Sequence, residues 1–198
     1  IIGLNGLRAD SCTNMDRAFA DTRNLKFDLD NFHPDFGANW SASSTYRCFY
    51  RNGYALALAS RGDIPEISNW DMSSVTDARE MFREAKLRPN SVLAPTWDLS
   101  NVASLLNFYY LGEGIQRINF SNVTITNTMT SMQNFAGATG ATYLELDTVD
   151  FGANCVFSGC TTWQSAFADR GALVTLNLDS GVDFSGISVG TNWFLDVP

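Results

Sequence analysis

Apolar and polar residues alternate in short runs that recur along the chain. Leu25, Phe27 and Leu29 form one, and Ile118-Asn119-Phe120, Leu144-Glu145-Leu146 and Leu176-Asn177-Leu178 form others. Alternation at period two marks a strand that buries one face. A second pattern precedes each run. Aromatic markers Phe19, Phe49, Phe82, Tyr109, Phe135 and Phe167 stand 30, 33, 27, 26 and 32 residues apart. Just before them Met15, Ala18 and Phe19, like Ala78, Met81 and Phe82, recur at helical spacing. Six residues ahead of the markers stand Thr13, Ser43, Thr76, Ala103, Met129 and Thr161, of which four carry hydroxyls suited to capping a helix. Thr13 with Asp16 and Thr161 with Gln164 add capping-box spacing.

The pattern therefore predicts one short parallel strand and one short helix per coil, in about six coils centred on the six markers. Neither element can bury its apolar side alone, so coils must stack. The expected fold class is an α/β repeat solenoid, a right-handed coil stack in a single domain over residues 1–198, either whole or a segment of a longer protein. Ile115, Ile118, Phe120, Val123 and Ile125 follow Tyr109 at the same offsets at which Ala141, Leu144, Leu146, Val149 and Phe151 follow Phe135. The second coil is long, with a turn-rich insertion at residues 60–65. In the third, Pro89 and Pro95 oppose ladder hydrogen bonds, so its strand is expected to be lost or bent.

Several segments carry a more specific signature: Cys12-Thr13-Asn14-Met15-Asp16-Arg17-Ala18-Phe19, Val75-Thr76-Asp77-Ala78-Arg79-Glu80-Met81-Phe82, and the turns Asn69-Trp70-Asp71-Met72-Ser73 and Thr96-Trp97-Asp98-Leu99-Ser100. Together they resemble the BspA-type leucine-rich repeats, a family also catalogued as of unknown function and first noted in mycoplasma surface lipoproteins. The likeness runs nearly the full length and is poorest in the second coil. A cysteine that many members carry shortly after the aromatic marker is absent. The resemblance implies a leucine-rich-repeat-like solenoid on secreted or cell-surface proteins, with roles that include adhesion to host proteins or other cells.

With 45% apolar and 17% charged residues, the chain has the composition of a packed domain. Its net charge of −8 repels phosphate backbones, so nucleic acid is not an expected partner. No apolar run approaches the roughly 20 residues of a membrane span, so direct membrane insertion is not expected either. Four cysteines, Cys12, Cys48, Cys155 and Cys160, accompany Asn-x-Ser/Thr sequons at Asn39, Asn119 and Asn122. An oxidising extracellular or lumenal setting accounts for both, with Cys155 and Cys160 able to close a small loop; four buried thiols and chance sequons are the alternative. The expected location is extracellular or cell surface, with a virion or lumenal assembly as the alternative.

The chemistry that these residues offer is sparse. The single histidine, His33, lies in a turn without a nucleophile motif, and Asp28, Asp30 and Asp35 lack the remaining features of a calcium loop. No catalytic residue, metal site or cofactor is expected, and the chain is read as a non-enzyme. A polysaccharide-acting solenoid would need paired carboxylates on neighbouring strands. The outward strand row expected from the coil register, Asn119, Glu145 and Asn177, has one carboxylate and two amides, which suits hydrogen bonding to a ligand. Of five tryptophans, Trp70, Trp97 and Trp163 fall at packing positions, whereas Trp40 and Trp193 are candidates for a binding surface. The expected partner is a protein or glycan, or neighbouring subunits of an assembly.

Overall fold

The computed structural model describes residues 12–25, 42–63, 67–68, 70–139, 145–188 and 192–193. Four parallel strands, β1 (Lys86–Leu93), β2 (Glu113–Phe120), β3 (Thr148–Phe151) and β4 (Thr175–Leu178), form a sheet in the order of the chain. The result is a parallel β-solenoid whose sheet makes about three turns. The pattern of one helix per coil is not realised, and neither are six strand-and-helix coils. Among the described residues the one helical element is a 3-10 turn, Leu58–Ser60.

The marker segments fold instead as ribbons of overlapping turns. Ala18 N–H donates to the carbonyl of Met15, Cys48 to Thr45, Asn52 to Phe49 and Phe108 to Leu105, each a three-residue step back. The third residue of each such turn has positive φ: Arg17, Arg47, Arg51 and Asn107, with φ from 52° to 56°. That geometry is a type II turn, which ordinarily favours glycine. A side chain there costs about 1–2 kcal/mol. The offsetting interaction is external. The N–H of Arg17 bonds to Tyr46 O, Arg47 to Arg79 O, Glu80 to Leu106 O, Asn107 to Gln133 O and Asn134 to Gln164 O, at 2.9–3.1 Å. Turn ribbons are thus tied level to level, as strands would be. A turn repeat of four residues also brings apolar pairs to one side, and its spacing overlaps the i, i+3, i+4 pattern of a helix.

The hydroxyls ahead of the markers do not cap helices. Ser43, Thr76, Thr130, Thr161 and Ser188 each donate both their N–H and their hydroxyl to the carbonyl one level before, on Thr13, Ser43, Ala103, Thr130 and Thr161 respectively. They form a ladder across levels. Thr130 occupies the place assigned to Met129, because the fifth marker is displaced by one residue. The hydrogen bond from Tyr109 N–H to Phe135 O sets Tyr109 beside Ala136 in register, while the ring of Phe135 stacks on Phe108, 5.6 Å away. Phe19, Phe49, Phe82, Phe108, Phe135 and Phe167 accordingly form a continuous aromatic column with centroid spacings of 5.2–6.1 Å. Tyr109 turns inward beside them, and its hydroxyl accepts the N–H of Ile115.

On the sheet side Ile118, Phe120, Val149 and Phe151 pack inward. The strand expected to be lost or bent is present with an irregularity: β1 keeps Pro89 by breaking its pairing with β2 between Lys86 and Ser91, where Asn90 adopts a positive φ. Opposite this irregularity, Gly114 approaches so closely that a Cβ would lie 2.2 Å from Leu87 O. The fully buried guanidinium of Arg170 closes the far side of the core by donating to the carbonyls of Ala136, Gly112, Tyr109 and Gly137.

Candidate functional site

Each turn ribbon points two consecutive residues out and the next two in. Residues 46–54 repeat this in full as Tyr46-Arg47, Cys48-Phe49, Tyr50-Arg51, Asn52-Gly53, Tyr54, with Cys48, Phe49, Asn52 and Gly53 buried. One level on, Arg79-Glu80 and Arg83-Glu84 flank the buried Met81 and Phe82. Stacking the levels therefore brings tyrosine, arginine and glutamate together on one wall.

The carboxylates lie underneath. Arg47 Nε donates to Glu80 at 2.8 Å and Arg51 Nε to Glu84 at 2.6 Å, while Arg83 reaches both, at 3.1 and 3.3 Å. The Glu80 and Glu84 side chains are 10% exposed, against 27% for Arg47 and 35% for Arg51. Above them the guanidinium of Arg47 lies 5.0 and 5.1 Å from the rings of Tyr46 and Tyr50, and that of Arg51 lies 4.9 Å from Tyr50. Arg79 sits over Tyr46, Arg83 between Tyr50 and Tyr110, Lys86 over Tyr54, and Arg17 over Tyr46. Such stacking holds long side chains in place.

The electrostatics match the geometry. Hydrogen bonds that Arg47, Arg51 and Arg79 donate to Glu80, Glu84 and Asp77 hold these guanidiniums above the ordinary arginine value. Burial pushes the Asp77 carboxyl up, but two bonds from the Arg79 side chain, at 2.6 and 2.9 Å, together with its N–H, outweigh burial and hold the group below its ordinary range. Burial, reinforced by Glu84, raises the Tyr50 phenol. Next to this wall a shallow groove of about 370 Å³ runs across levels, lined by Asp77, Arg79, Ser104, Leu106 and Ser131 with Thr76, Ala103 and Thr130.

The helical spacing expected of the marker segments does not bring the residues of this wall together. The fourfold step Tyr-Arg-x-x-Tyr-Arg-x-x-Tyr at residues 46–54 is the signal that finds it.

The expected strand row is rearranged. Asn119 pairs in register with Asp150, and Asp150 with Asn177. Glu145 precedes β3 and is outside the row, with Oε2 buried and without a hydrogen-bond partner. The register follows Val149 and Phe151, which pack beside Ile118 and Phe120, rather than Leu144 and Leu146. Asp150 accepts hydrogen bonds from Arg117 at 2.7 and 3.1 Å and from Asn177 at 2.7 Å.

Trp70, Trp97 and Trp163 are buried. Trp193 is half-buried and stacks on Trp163 at 5.2 Å, also reaching Phe184, so its ring extends the core. Asn122 is exposed, whereas Asn119 is half-buried and its side chain accepts the N–H of Ser121. Trp40, Asn39 and His33 lie outside the described residues.

All four cysteines are free thiols, and the loop between Cys155 and Cys160 is not closed. Cys155 Sγ faces the carbonyls of Phe120 and Val123 at 3.6 Å, and Cys160 Sγ faces that of Thr162 at 3.7 Å. Each thiol is turned to its own set of carbonyls. Burial pushes both thiols up to about 11 and Cys48 well above its ordinary value.

The fold and its turn wall define a parallel β-solenoid repeat protein. Residues 55–143, under half of the chain, match the model of a family described as "Mycoplasma protein of unknown function, DUF285". No curated protein and no solved structure matches the chain. Among the described residues no helix is long and apolar enough to cross a membrane.

Proposed function

We propose that the chain is a non-enzymatic binding module of the kind its resemblance to BspA-type repeats implies, an extracellular or cell-surface solenoid that presents its turn wall to a protein or glycan. The observation that carries this reading is the arginine and tyrosine array on levels two to four. Its packing positions are filled as elsewhere in the stack, yet its outward positions hold large side chains already ordered by their neighbours. Ordered, partly exposed arginine and tyrosine are the residue types that dominate binding energy at interfaces. The strand row supports binding over hydrolysis, since its carboxylate, Asp150, is tied to Arg117 and Asn177 with no second carboxylate opposite.

A second reading, a structural subunit of a large assembly, is favoured by one observation. Strand β4 is paired on one side among the described residues; Val174 just before it is 74% exposed, and Leu178 at its end is 48% exposed. An open strand edge with apolar neighbours is a template for association. Sedimentation and a binding screen with the purified chain separate the two. A monodisperse monomer with saturable ligand binding supports the module, and isolation only as a polymer supports the assembly.

A further inference from the structure

The wall narrows the ligand class, and the step rests on the binding reading above. We propose that the surface formed by Arg47, Arg51, Arg79 and Arg83, with Arg17 at its margin, docks a linear polyanionic polysaccharide whose carboxylates or sulfates recur at regular intervals.

Arg47 and Arg51 carry the contact, because among the described residues they donate only through Nε, whereas Arg79 is held at two atoms by Asp77 and Arg83 by Glu80 and Glu84. Glu80 and Glu84 engage the Nε groups of Arg47 and Arg51 from below, and the Nη groups of Arg47 make no hydrogen bond among the described residues. An Nη of Arg51 lies 4.0 Å from Asp21, beyond hydrogen-bonding distance. Paired Nη groups form the fork that matches planar carboxylates and sulfate-like anions. Because the rings of Tyr46 and Tyr50 hold these side chains, binding forfeits little rotamer entropy.

Regularity selects a repeating ligand over a folded acidic protein. The cations recur every four residues along a ribbon, as at Arg47 and Arg51 or Arg79 and Arg83, and again at the next level, about 4.8 Å away where backbones are hydrogen-bonded. A polymer with one anion per repeat can meet such an array at several points. The adjoining groove adds the hydroxyls of Ser104 and Ser131, neutral groups fit for sugar hydroxyls. Elsewhere the chain's net charge of −8 disfavours a polyanion, which confines binding to the wall.

The test uses the whole chain in titration calorimetry against sulfated glycosaminoglycan and polygalacturonate oligomers. Dextran, polyglutamate and single-stranded DNA are the comparison ligands. The expected result is saturable binding to a charged glycan that weakens several-fold between about 50 and 200 mM salt. Arg17→Gln, which leaves no buried carboxylate unpaired, is expected to lower affinity about threefold. Arg47→Lys with Arg51→Lys, which keeps both charges over Glu80 and Glu84 but removes the planar forks, is expected to lower it about tenfold.

Arg88→Gln, the same change of charge on β1, is expected to leave affinity unchanged, with circular dichroism verifying the fold of every variant. Tighter binding to polyglutamate or DNA, or equal losses in Arg88→Gln and the wall variants, would overturn the proposal. Binding of dextran alone rejects the charged glycan and leaves the binding reading standing. Failure of every ligand class, in a chain recovered only as a polymer, rejects both.

Discussion

The turn ribbons at residues 45–51 and 132–138 share one backbone and differ in what they show to solvent. Both are tied to the following level by alternate N–H groups, and both pack inward pairs, Cys48-Phe49 and Phe135-Ala136, against the same aromatic column. Outward, the first carries Tyr46, Arg47, Tyr50 and Arg51, and the second only Gln133 and Asn134, since Gly137 and Ala138 are buried. The geometry of the ribbon thus does not require charge or large rings. Backbone hydrogen bonds and the inward pairs are sufficient for stacking, which leaves the outward pairs free to be shaped by what they meet.

If the inward column is the common support of both regions, Phe108→Ala should be the most damaging of the changes considered. The ring is fully buried and touches Phe82, Trp97, Phe120 and Phe135, so a loss of about 3–5 kcal/mol is expected in denaturant unfolding. A loss under about 1 kcal/mol would mean the column is not the support.

The charged wall itself is tested by Glu80→Gln, which removes the carboxylate shared by Arg47 and Arg83. A loss of about 1–2 kcal/mol is expected, reduced from the buried limit because both arginines are about a quarter exposed. Asn134→Ala, on the polar ribbon, loses a hydrogen bond to Asn107 and a side chain suited to φ 50°, and is expected to cost about 1 kcal/mol.

A fourth substitution separates turn ribbons from helices by sign. Ser165 has φ 54°, so Ser165→Gly relieves a left-handed side chain and should raise stability by about 0.5–1 kcal/mol. In a helix the same change would lower it by about that amount.

The pH response of the wall is smaller still. Asp77 is held below its ordinary 3.8, so its contribution is present above that value and is lost as pH falls through the folded-state value. Acid titration should therefore show a loss of stability below about pH 4 that Asp77→Asn removes in part. A final measurement carries no stability change. In native protein at pH 8 a thiol reagent should modify half-exposed Cys12 first, and reach Cys48, Cys155 and Cys160 only on unfolding. Immediate absence of any reactive thiol would signal disulfides.

The strands were legible where apolar and polar residues alternate, as at Ile118 and Phe120 or Leu176 and Leu178, although burial follows the alternation in the first pair and not at Leu178, which is exposed. The turn ribbons were not, since apolar pairs four residues apart satisfy a helix and a turn repeat equally well. What distinguishes them is the destination of the N–H groups, and a ribbon's partner lies about 30 residues away. Local pattern cannot report that. The same blindness placed Glu145 in the strand row, where Asp150 stands, because Leu144 and Leu146 alternate as well as Val149 and Phe151 do.

Composition and periodicity by themselves determined that this is a stacked repeat protein with parallel strands and recurring aromatic positions, because a repeat unit too small to bury its own apolar side must stack. Only the tertiary structure decided that the column is backed by turns, that the hydroxyls tie level to level, and that Arg47, Arg51, Arg79 and Arg83 share one wall. Those outcomes depend on which residues of successive levels lie side by side. That register is set by long-range hydrogen bonds and by the packing of one aromatic ring on the next.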